Sequence, residues 1–416
     1  MTLRKLFFWT HLLAGCVAGI VILVMSVTGV LLALQPQILE FADRNQRLVV
    51  APRDGAPRLS AGALLAEVRK SRPELRPTAI TLTDDKNVAA SIALGREGTL
   101  YVDPYSGKVT GMASQRARQV FRSVTDWHRW LAAKEESRPA ARAVTGACNA
   151  AFLLLALTGP FIWWPKKWTP QIVRRAIWFQ PAESSRARDW NWHNTIGIWC
   201  APILVILTAT GMVISYQWAG NLLYTITGNT PPAPLAVPQR PAGDAQRERG
   251  AKEPLPGAPA FVFSAETADR LWERASQHAP GWKSLSMRIP VRPGPVAFTI
   301  VEASAWGNFQ RSQLALDVTA AEIVRWEPYS ALNAGRKLRT WARFAHTGEA
   351  GLLPGQMVAG IASLGGGFLV WTGLALGVRR FVAWTRRKLH AAATPQQVVT
   401  EIVPMEPAAP SEAGLG

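Results

Sequence analysis

The chain has few cysteines and lacks the motifs that cysteine usually serves. Its 416 residues include three, Cys16, Cys148 and Cys200, and no Cys-x-x-Cys-His run. Three thiols inside or beside apolar segments exclude a disulfide scaffold, and the missing run excludes a cofactor attached through thioether bonds. No nucleic-acid-binding motif accompanies the net charge of +18, so we expect no nucleic acid partner.

Charge is almost absent from four stretches, residues 6–34, 143–164, 199–218 and 352–378. About 20 apolar residues in a helix cross the roughly 30 Å hydrocarbon core of a bilayer. The sequence therefore predicts a mainly α integral membrane protein built on a four-helix transmembrane bundle. A cleaved signal peptide is the alternative for the first stretch. That stretch is about twice the length of a signal-peptide core and has no small-x-small cleavage site, so we expect it to remain as an anchor.

Basic residues flank these spans on one side. They lie before the first span, between the second and third, and after the fourth: Arg4, Lys5, Lys166, Lys167, Arg174, Arg175, Arg186, Arg188, Arg379, Arg380, Arg386, Arg387 and Lys388. The positive-inside rule places all three groups, and both termini, in the cytoplasm. We interpret most of the net charge as a topology signal with contact to anionic membrane lipid.

This topology divides the chain into eight parts. In chain order they are transmembrane helix 1 (1–34), an extracytoplasmic domain (35–125), an interfacial segment with helix 2 (126–164), a cytoplasmic loop (165–192), helix 3 (193–218), a second extracytoplasmic domain (219–340) with a Pro-rich disordered insertion (228–259), helix 4 (341–380) and a disordered cytoplasmic tail (381–416).

Both extracytoplasmic segments are predicted to form small α+β units. The first has a helix at 60–72 and strands at 78–82, 88–94 and 98–103. The second has a helix at 264–278 and strands at 284–289, 296–301 and 309–317. Neither contains a nucleophile with its base, a metal cluster or a phosphate loop, so we place no chemistry in them.

The two halves of the chain repeat one another. His11 and His193 are each followed by a Thr-Gly dipeptide at offsets of 17 and 18 residues. Thr28-Gly29 and Thr210-Gly211 stand at these offsets, and the second span of each half carries a further matching dipeptide, Thr158-Gly159 or Thr372-Gly373. Two spans per repeat preserve orientation, so we predict a parallel internal duplication. Chance recurrence of Thr-Gly in a glycine-rich membrane chain is the alternative.

Four histidines lie at matched depths in the two halves. His11 and His193 are on the cytoplasmic side, and His128 and His346 precede the second and fourth spans on the outer side. Burying an ionisable group in a membrane costs several kcal/mol unless the group is paired or binds a ligand. One pair near each face suits two haems, each with its iron between two imidazole nitrogens. Interfacial anchoring of histidines flanked by tryptophan is the alternative.

Small and basic residues near these histidines point the same way. Gly15 and Gly197 follow His11 and His193 by four residues, where a missing Cβ leaves room for a flat porphyrin, although helix packing also explains small residues there. Arginines and a lysine precede the second and fourth spans on the outer side: Arg116, Arg118, Arg122, Arg129, Arg336, Lys337, Arg339 and Arg343. They predict an anionic partner such as a haem propionate, an acidic substrate or a lipid, and a solvated interfacial helix fits as well.

Several motifs together resemble a known family. They are WTHLLAG and VTG in the first span, YVDPYSGKV in the first domain, DWHRWL and LTGPFIWWPKK around the second span, WHNTIG and TATG in the third, and FAHTGEAGLLPGQMVAG and WTG in the fourth. Over residues 3–380 the sequence is similar to the PepSY-associated transmembrane family of iron-regulated bacterial inner-membrane proteins. The resemblance implies two periplasmic PepSY-like domains and a multi-pass protein of the inner membrane.

The resemblance also implies an activity. Members include siderophore reductases with two b-type haems, and the axial ligands carry over to His11, His193, His128 and His346. We therefore expect an oxidoreductase that takes electrons from a cytoplasmic-side or quinol donor and reduces a periplasmic ferric siderophore, releasing ferrous iron. Two departures are the Pro-rich insertion and the lack of a C-terminal flavin-NADPH module, so direct nicotinamide use is not expected. A non-catalytic regulator that binds a periplasmic partner, or a siderophore or metal permease, are the other interpretations.

Overall fold

The computed structural model describes residues 2–53, 55–165, 167–231 and 263–393. The predicted Pro-rich insertion, from residue 232 onwards, and the predicted tail, from residue 394 onwards, lie outside the described residues, as does Lys166.

Four described helices are long and apolar enough to cross a membrane. Their bounds are α1 Leu3–Ala33, α6 Arg138–Trp163, α8 Ser185–Ser215 and α12 Leu352–Ala393. The prediction of a mainly helical membrane protein with four spans is therefore confirmed. Large apolar side chains such as Val17 and Trp371 remain exposed on the outside of the helices, as expected of a surface that faces lipid.

The four spans form a bundle in which α1 and α8 lie opposite each other. Each of these two helices packs against both α6 and α12. Ile22 and Leu204 are buried in the centre, where close approach depends on glycine. A Cβ on Gly366 would lie 3.0 Å from Phe152 Cζ and from Ser26 Oγ, so a larger residue would push the helices apart.

Two spans are longer than their apolar stretches. Helix α8 begins at Ser185, eight residues before the predicted boundary, because the Ser184 hydroxyl accepts a hydrogen bond from the Ala187 amide and caps a polar first turn. His193 therefore lies inside the helix and not in front of it. Helix α12 continues to Ala393, through part of the segment predicted as tail. Hydropathy marks where a helix leaves lipid and not where its hydrogen bonds end.

Short helices surround the bundle. They are α2 Gln35–Ala42, α3 Arg44–Arg47, α5 Gln115–Trp130, α7 Pro170–Ile177, α9 Gln217–Ile226 and α11 Ala334–His346. Helix α5 ends at Leu131, whose φ of 51° is left-handed and turns the chain into α6. Helix α11 ends at His346, and Gly348 follows with a φ of 79° before α12 begins. His346 thus closes a separate helix, so the predicted helix 4 (341–380) is interrupted between His346 and Leu352.

The strands form one antiparallel sheet. They are β1 Ala79–Thr83, β2 Ala90–Ala93, β3 Thr99–Val102, β4 Val109–Met112, β5 Ser284–Arg288, β6 Val296–Val301, β7 Arg311–Leu316 and β8 Ile323–Glu327. Their spatial order is β4-β3-β2-β1-β5-β6-β7-β8. Each of the segments 35–125 and 219–340 contributes four described strands, one more than predicted, and one helix whose residues join the core of the sheet, α4 Ala61–Ser71 or α10 Ala265–His278.

The two segments do not stand apart as separate units. Strand β1 pairs with β5, with Ile80 opposite Met287, and residues of both segments fill one core that includes Leu64 and Leu271. Two unpaired edges would otherwise face water, and joining them satisfies their backbone groups. Because the four spans alternate in direction, the sheet lies at one end of the bundle and the start of α1 and the end of α12 lie at the other. We call these the sheet side and the termini side.

Candidate functional site: two facing histidine pairs

The termini-side pair consists of His11 on α1 and His193 on α8. Their ring centroids are 6.4 Å apart and their planes make an angle of 80°. The residues are 182 positions apart in the sequence, so only the opposition of α1 and α8 across the bundle brings them together.

The sheet-side pair consists of His128 on α5 and His346 on α11. Their ring centroids are also 6.4 Å apart, with an angle of 60° between the planes. The structure thus brings together both of the couples that the sequence predicted. The remaining histidine whose side chain is described, His278, lies far from either pair and contacts Trp326 of the sheet.

A threonine from a span hydrogen-bonds each of the four rings. The distances from Nδ1 to Oγ1 are 2.8 Å for His11 and Thr158, 2.8 Å for His128 and Thr28, 2.9 Å for His193 and Thr372, and 3.3 Å for His346 and Thr210. These are the threonines of the four Thr-Gly dipeptides. The sequence reveals their repetition, but their partners become visible only in three dimensions.

The hydrogen-bond network assigns the proton to Nδ1 in each ring. Every one of the four threonine hydroxyls donates to the carbonyl four residues earlier in its helix, at 2.6 to 2.8 Å. A hydroxyl that has donated its proton accepts from the ring, so Nδ1 is the donor. For His346 the Leu207 carbonyl, 2.8 Å away, can only accept. Each Nε2 therefore keeps its lone pair for a ligand.

The glycine after each threonine leaves space for the ring. A Cβ placed on it would lie 3.7 Å from Cε1 of the ring for Gly29 with His128 and Gly159 with His11, 3.2 Å for Gly211 with His346, and 3.3 Å for Gly373 with His193. At Gly211 and Gly373 any side chain would press on the ring. Each Thr-Gly dipeptide is thus a cradle in which threonine orients one histidine and glycine admits it.

The glycines predicted to make room for a cofactor have other neighbours. Positions Gly15 and Gly197 face Leu155 and Leu369, at 3.9 and 3.6 Å from a built Cβ. They lie where helices pack against each other, and the glycines that face the rings are those of the Thr-Gly dipeptides.

Neither pair forms a cluster typical of a bare metal ion. Among the residues that the structure describes, no group of three or more His, Cys, Asp or Glu side chains is placed to hold a metal. Two imidazoles fill only two coordination positions of a metal ion. They therefore suit a metal whose remaining positions are already filled by an organic ligand. With metal–nitrogen bonds of about 2.0–2.1 Å, two rings on opposite sides of one metal have centroids roughly 6 Å apart. The observed spacing fits that arrangement.

Arginines gather beside the sheet-side pair. The Arg129 and Arg138 guanidinium groups lie 4.7 and 4.5 Å from the centre of the Trp130 ring, and Arg129 has Arg142 and Arg343 as charged neighbours. In the described parts of the chain, no carboxylate forms an ion pair with any of these four arginines. Clustered guanidinium groups repel one another, so this surface favours an anion.

A buried carboxylate holds the far end of α5. Asp43, only 1% exposed, accepts hydrogen bonds from Arg118 Nη2 at 2.7 Å, from the Ser114 amide at 2.7 Å and from the Tyr101 hydroxyl at 3.1 Å. Burial by itself raises the pKa of Asp43. The Arg118 and Ser114 donors outweigh burial, so the pKa lies below its ordinary value.

A second carboxylate holds the far end of α11. Glu327 on β8 pairs with both terminal nitrogens of Arg336, and Nη2 lies 3.3 Å from Oε2. This pairing, with help from Arg325, keeps the pKa of Glu327 below its ordinary value. Neither ion pair was predicted from the sequence, although a signal was present: each arginine stands ten residues before the histidine of its helix.

The termini side has an ion pair of its own. Asp189, one helical turn before His193, is 2% exposed and accepts hydrogen bonds from Arg188 at 2.9 Å and from Arg379 of α12 at 2.7 Å. It joins two spans directly, without involving the sheet.

These features define an integral membrane protein whose helical bundle holds two facing histidine pairs and carries a sheet domain at one end. The chain belongs to the family described as the PepSY-associated TM region, whose model matches residues 8–380. The predicted family membership is therefore confirmed. No curated protein matches the chain.

Proposed function

We propose that this protein carries electrons across a bacterial inner membrane through two b-type haems, one held by each histidine pair, and reduces a ferric siderophore on the sheet side. One observation carries the proposal: both pairs have ring centroids 6.4 Å apart, and each ring keeps Nε2 free while its Nδ1 is occupied. That combination suits axial ligation by two neutral imidazoles.

The histidines and the threonines would have separate roles in holding the haems. His11 with His193, and His128 with His346, would supply the nitrogens that hold the iron, and the four threonines would accept hydrogen bonds from Nδ1 so that the rings stay neutral and correctly turned. When bound, each haem supplies a one-electron carrier whose iron alternates between ferric and ferrous states. The distance along α1 from His11 to Thr28 is about 25 Å, so the two sites would lie near opposite faces of the membrane.

The arginine cluster supports the same assignment on the sheet side. Arg129, Arg142 and Arg343 lack carboxylate partners among the described residues. Arg129 adjoins His128 in the sequence, Arg343 lies one helical turn before His346, and Arg142 and Arg343 are charged neighbours of Arg129. Guanidinium groups bind carboxylates through two parallel hydrogen bonds, so haem propionates are suitable partners.

The contacts support a parallel duplication as the origin of the two sites. His11 binds a threonine of α6 and His193 one of α12, while His128 binds a threonine of α1 and His346 one of α8. Exchanging α1 with α8, α6 with α12 and α5 with α11 reproduces every one of these contacts, which is the relation expected of two copies of one repeat.

The proposed orientation would place the electron donor on the termini side and the acceptor on the sheet side. The basic residues of the termini side would face the cytoplasm, where a donor on that side or a membrane quinol would reduce the protein. Electrons would leave on the sheet side, in the periplasm. Reduction of ferric to ferrous iron weakens its bonds to the hard oxygen donors of a siderophore, so iron is released without cleavage of the chelator.

Spectroscopy of protein purified from haem-replete cells tests this function. We expect a low-spin bis-histidine spectrum and two haems per chain, and dithionite-reduced protein should be reoxidised by ferric siderophore under anaerobic conditions. Folded, membrane-inserted protein without haem would exclude the proposal and favour a regulator or a permease. Haem-loaded protein that ferric siderophores fail to reoxidise would retain the electron carrier and exclude this substrate.

A further inference from the structure

The sheet-side histidines lie on short helices and not on spans. Helix α5 carries Arg118 near its start and His128 near its end, and α11 carries Arg336 and His346 in the same relation. Ten residues of helix measure about 15 Å. Each helix is fastened at its histidine to a span and at its arginine to a carboxylate outside the bundle, so it connects the sheet domain with the site.

Helix α5 is held firmly at both ends. Asp43 follows α2, which continues α1, and α1 also provides the Thr28 that binds His128. Two polar contacts therefore fix α5 along one continuous segment, and Tyr101 of β3 ties the sheet to the same carboxylate. With its side chain 2% exposed and donors on both oxygens, Asp43 has little freedom to release Arg118.

Helix α11 is held less firmly at its arginine end. The side chain of Glu327 is 21% exposed and that of Arg336 is 37% exposed, so water competes for this ion pair. A groove of about 290 Å³ also runs beside α11, lined by Trp341 and Ala345 of that helix and by Leu207 and Val358 of the neighbouring spans. An ion pair open to water and a groove along one side of the helix leave α11 room to shift.

We infer that Arg118 and Arg336 are positioning residues for the sheet-side pair, and that the Glu327–Arg336 ion pair is the adjustable contact through which the sheet domain controls the placement of His346. This inference rests on the proposed function, because the controlled property is the axial ligation of the sheet-side haem.

The test uses the full-length protein in lipid nanodiscs and two readouts. Hydrogen–deuterium exchange of residues 121–130 and 338–346 needs no haem, and electron paramagnetic resonance distinguishes the two ferric haems. The variants are Glu327→Gln, Asp43→Asn and the charge exchange Glu327→Arg with Arg336→Glu. Arg325→Gln is the matched control, because Arg325 also pairs with Glu327, at 3.1 Å, but lies on the same strand and does not reach α11.

We expect Glu327→Gln to raise amide exchange at 338–346 about tenfold and to shift the sheet-side haem signal alone. Asp43→Asn should do the same at 121–130. The double variant Glu327→Arg with Arg336→Glu should restore the wild-type rate of amide exchange and the wild-type haem signal. Arg325→Gln should leave both readouts at the wild-type level. A poorly folded Asp43→Asn protein leaves the Glu327 series to decide.

Two results overturn the inference. One is unchanged exchange at 338–346 in Glu327→Gln, and the other is an equal shift of both haem signals. If the wild-type protein contains no haem, the proposed function fails, while the exchange experiment still shows whether Glu327 positions the helix that carries His346.

Discussion

The two histidine pairs share their local chemistry and differ in what supports them. On the termini side both rings project from membrane-spanning helices, and the nearby ion pair of Asp189 with Arg379 joins two spans. On the sheet side both rings stand on short helices whose other ends are tied to the sheet domain through Asp43 and Glu327. The Thr-Gly cradles therefore set the ligand chemistry of all four rings, and the supporting helices set how far each pair can move.

Removing one histidine gives the largest expected effect and tests whether the two pairs are independent. His128→Ala and His346→Ala should each abolish the same haem, halve the haem content per chain and leave the other spectrum intact. His11→Ala and His193→Ala should abolish the complementary haem. The pyridine haemochrome assay gives the content, and His278→Ala is the control, because His278 belongs to neither pair and contacts Trp326 of the sheet. Loss of a termini-side signal in His128→Ala would show that the pairing is wrong.

Filling a cradle should be nearly as severe. A Cβ on Gly373 lies 3.3 Å from the His193 ring, and one on Gly211 lies 3.2 Å from the His346 ring. Gly373→Val should therefore displace His193 and remove most of the termini-side haem, and Gly211→Val should do the same on the sheet side. Gly15→Ala is the matched control, since its nearest neighbour is Leu155 at 3.9 Å. Full haem content in Gly373→Val would mean that the ring does not need this space.

Replacing a threonine should weaken haem binding by different amounts on the two sides. Loss of a partner that orients a metal-binding histidine typically costs 10–100-fold in affinity. Thr158→Val should fall in that range, because Thr158 lies 2.8 Å from His11 Nδ1. Thr210→Val should cost less, because His346 also donates to the Leu207 carbonyl at 2.8 Å while Thr210 is 3.3 Å away. Haem dissociation rates measure both, and Thr158→Ser should keep wild-type behaviour. Equal losses in the two valine variants would contradict the role given to Leu207.

Features that depend on interactions within one segment could be predicted from the sequence. Features that depend on contacts between distant segments could not. Apolar runs located the four spans because lipid acts on each segment separately, but the polar first turn of α8, capped by Ser184, carries no such signal. The matched depths of the histidines indicated the pairs. That β1 would pair with β5 could not be predicted, because the two strands are about 200 residues apart and either could have ended its own sheet.

The threonines show the same limit at atomic scale. Their repetition was visible, yet Thr158 lies on a different helix from His11, 147 positions away, and no local pattern links them. The carboxylates were missed for a related reason. Asp43 and Glu327 occupy different elements, a loop after α2 and strand β8, so the repeat that relates Arg118 to Arg336 does not extend to their partners.

Acid should produce the smallest effect, and it should act on the sheet side through Asp43 and Glu327. Both carboxyl groups have a pKa below the ordinary value, so their stabilisation is present above the unfolded-state pKa of about 4 and is lost as pH falls through the lower folded-state value. Arg118, Tyr101 and the Ser114 amide face Asp43, while Arg336 and Arg325 face Glu327; the arginines stay charged throughout, so only the carboxylates change in this range. After correction for the slower intrinsic exchange at low pH, amide exchange of residues 338–346 should rise several-fold below pH 4 in the wild type. In Glu327→Gln that rise should be absent, because exchange is already fast at neutral pH. A rise of equal size in the variant would assign the acid response to another group and remove the distinction between the two supports.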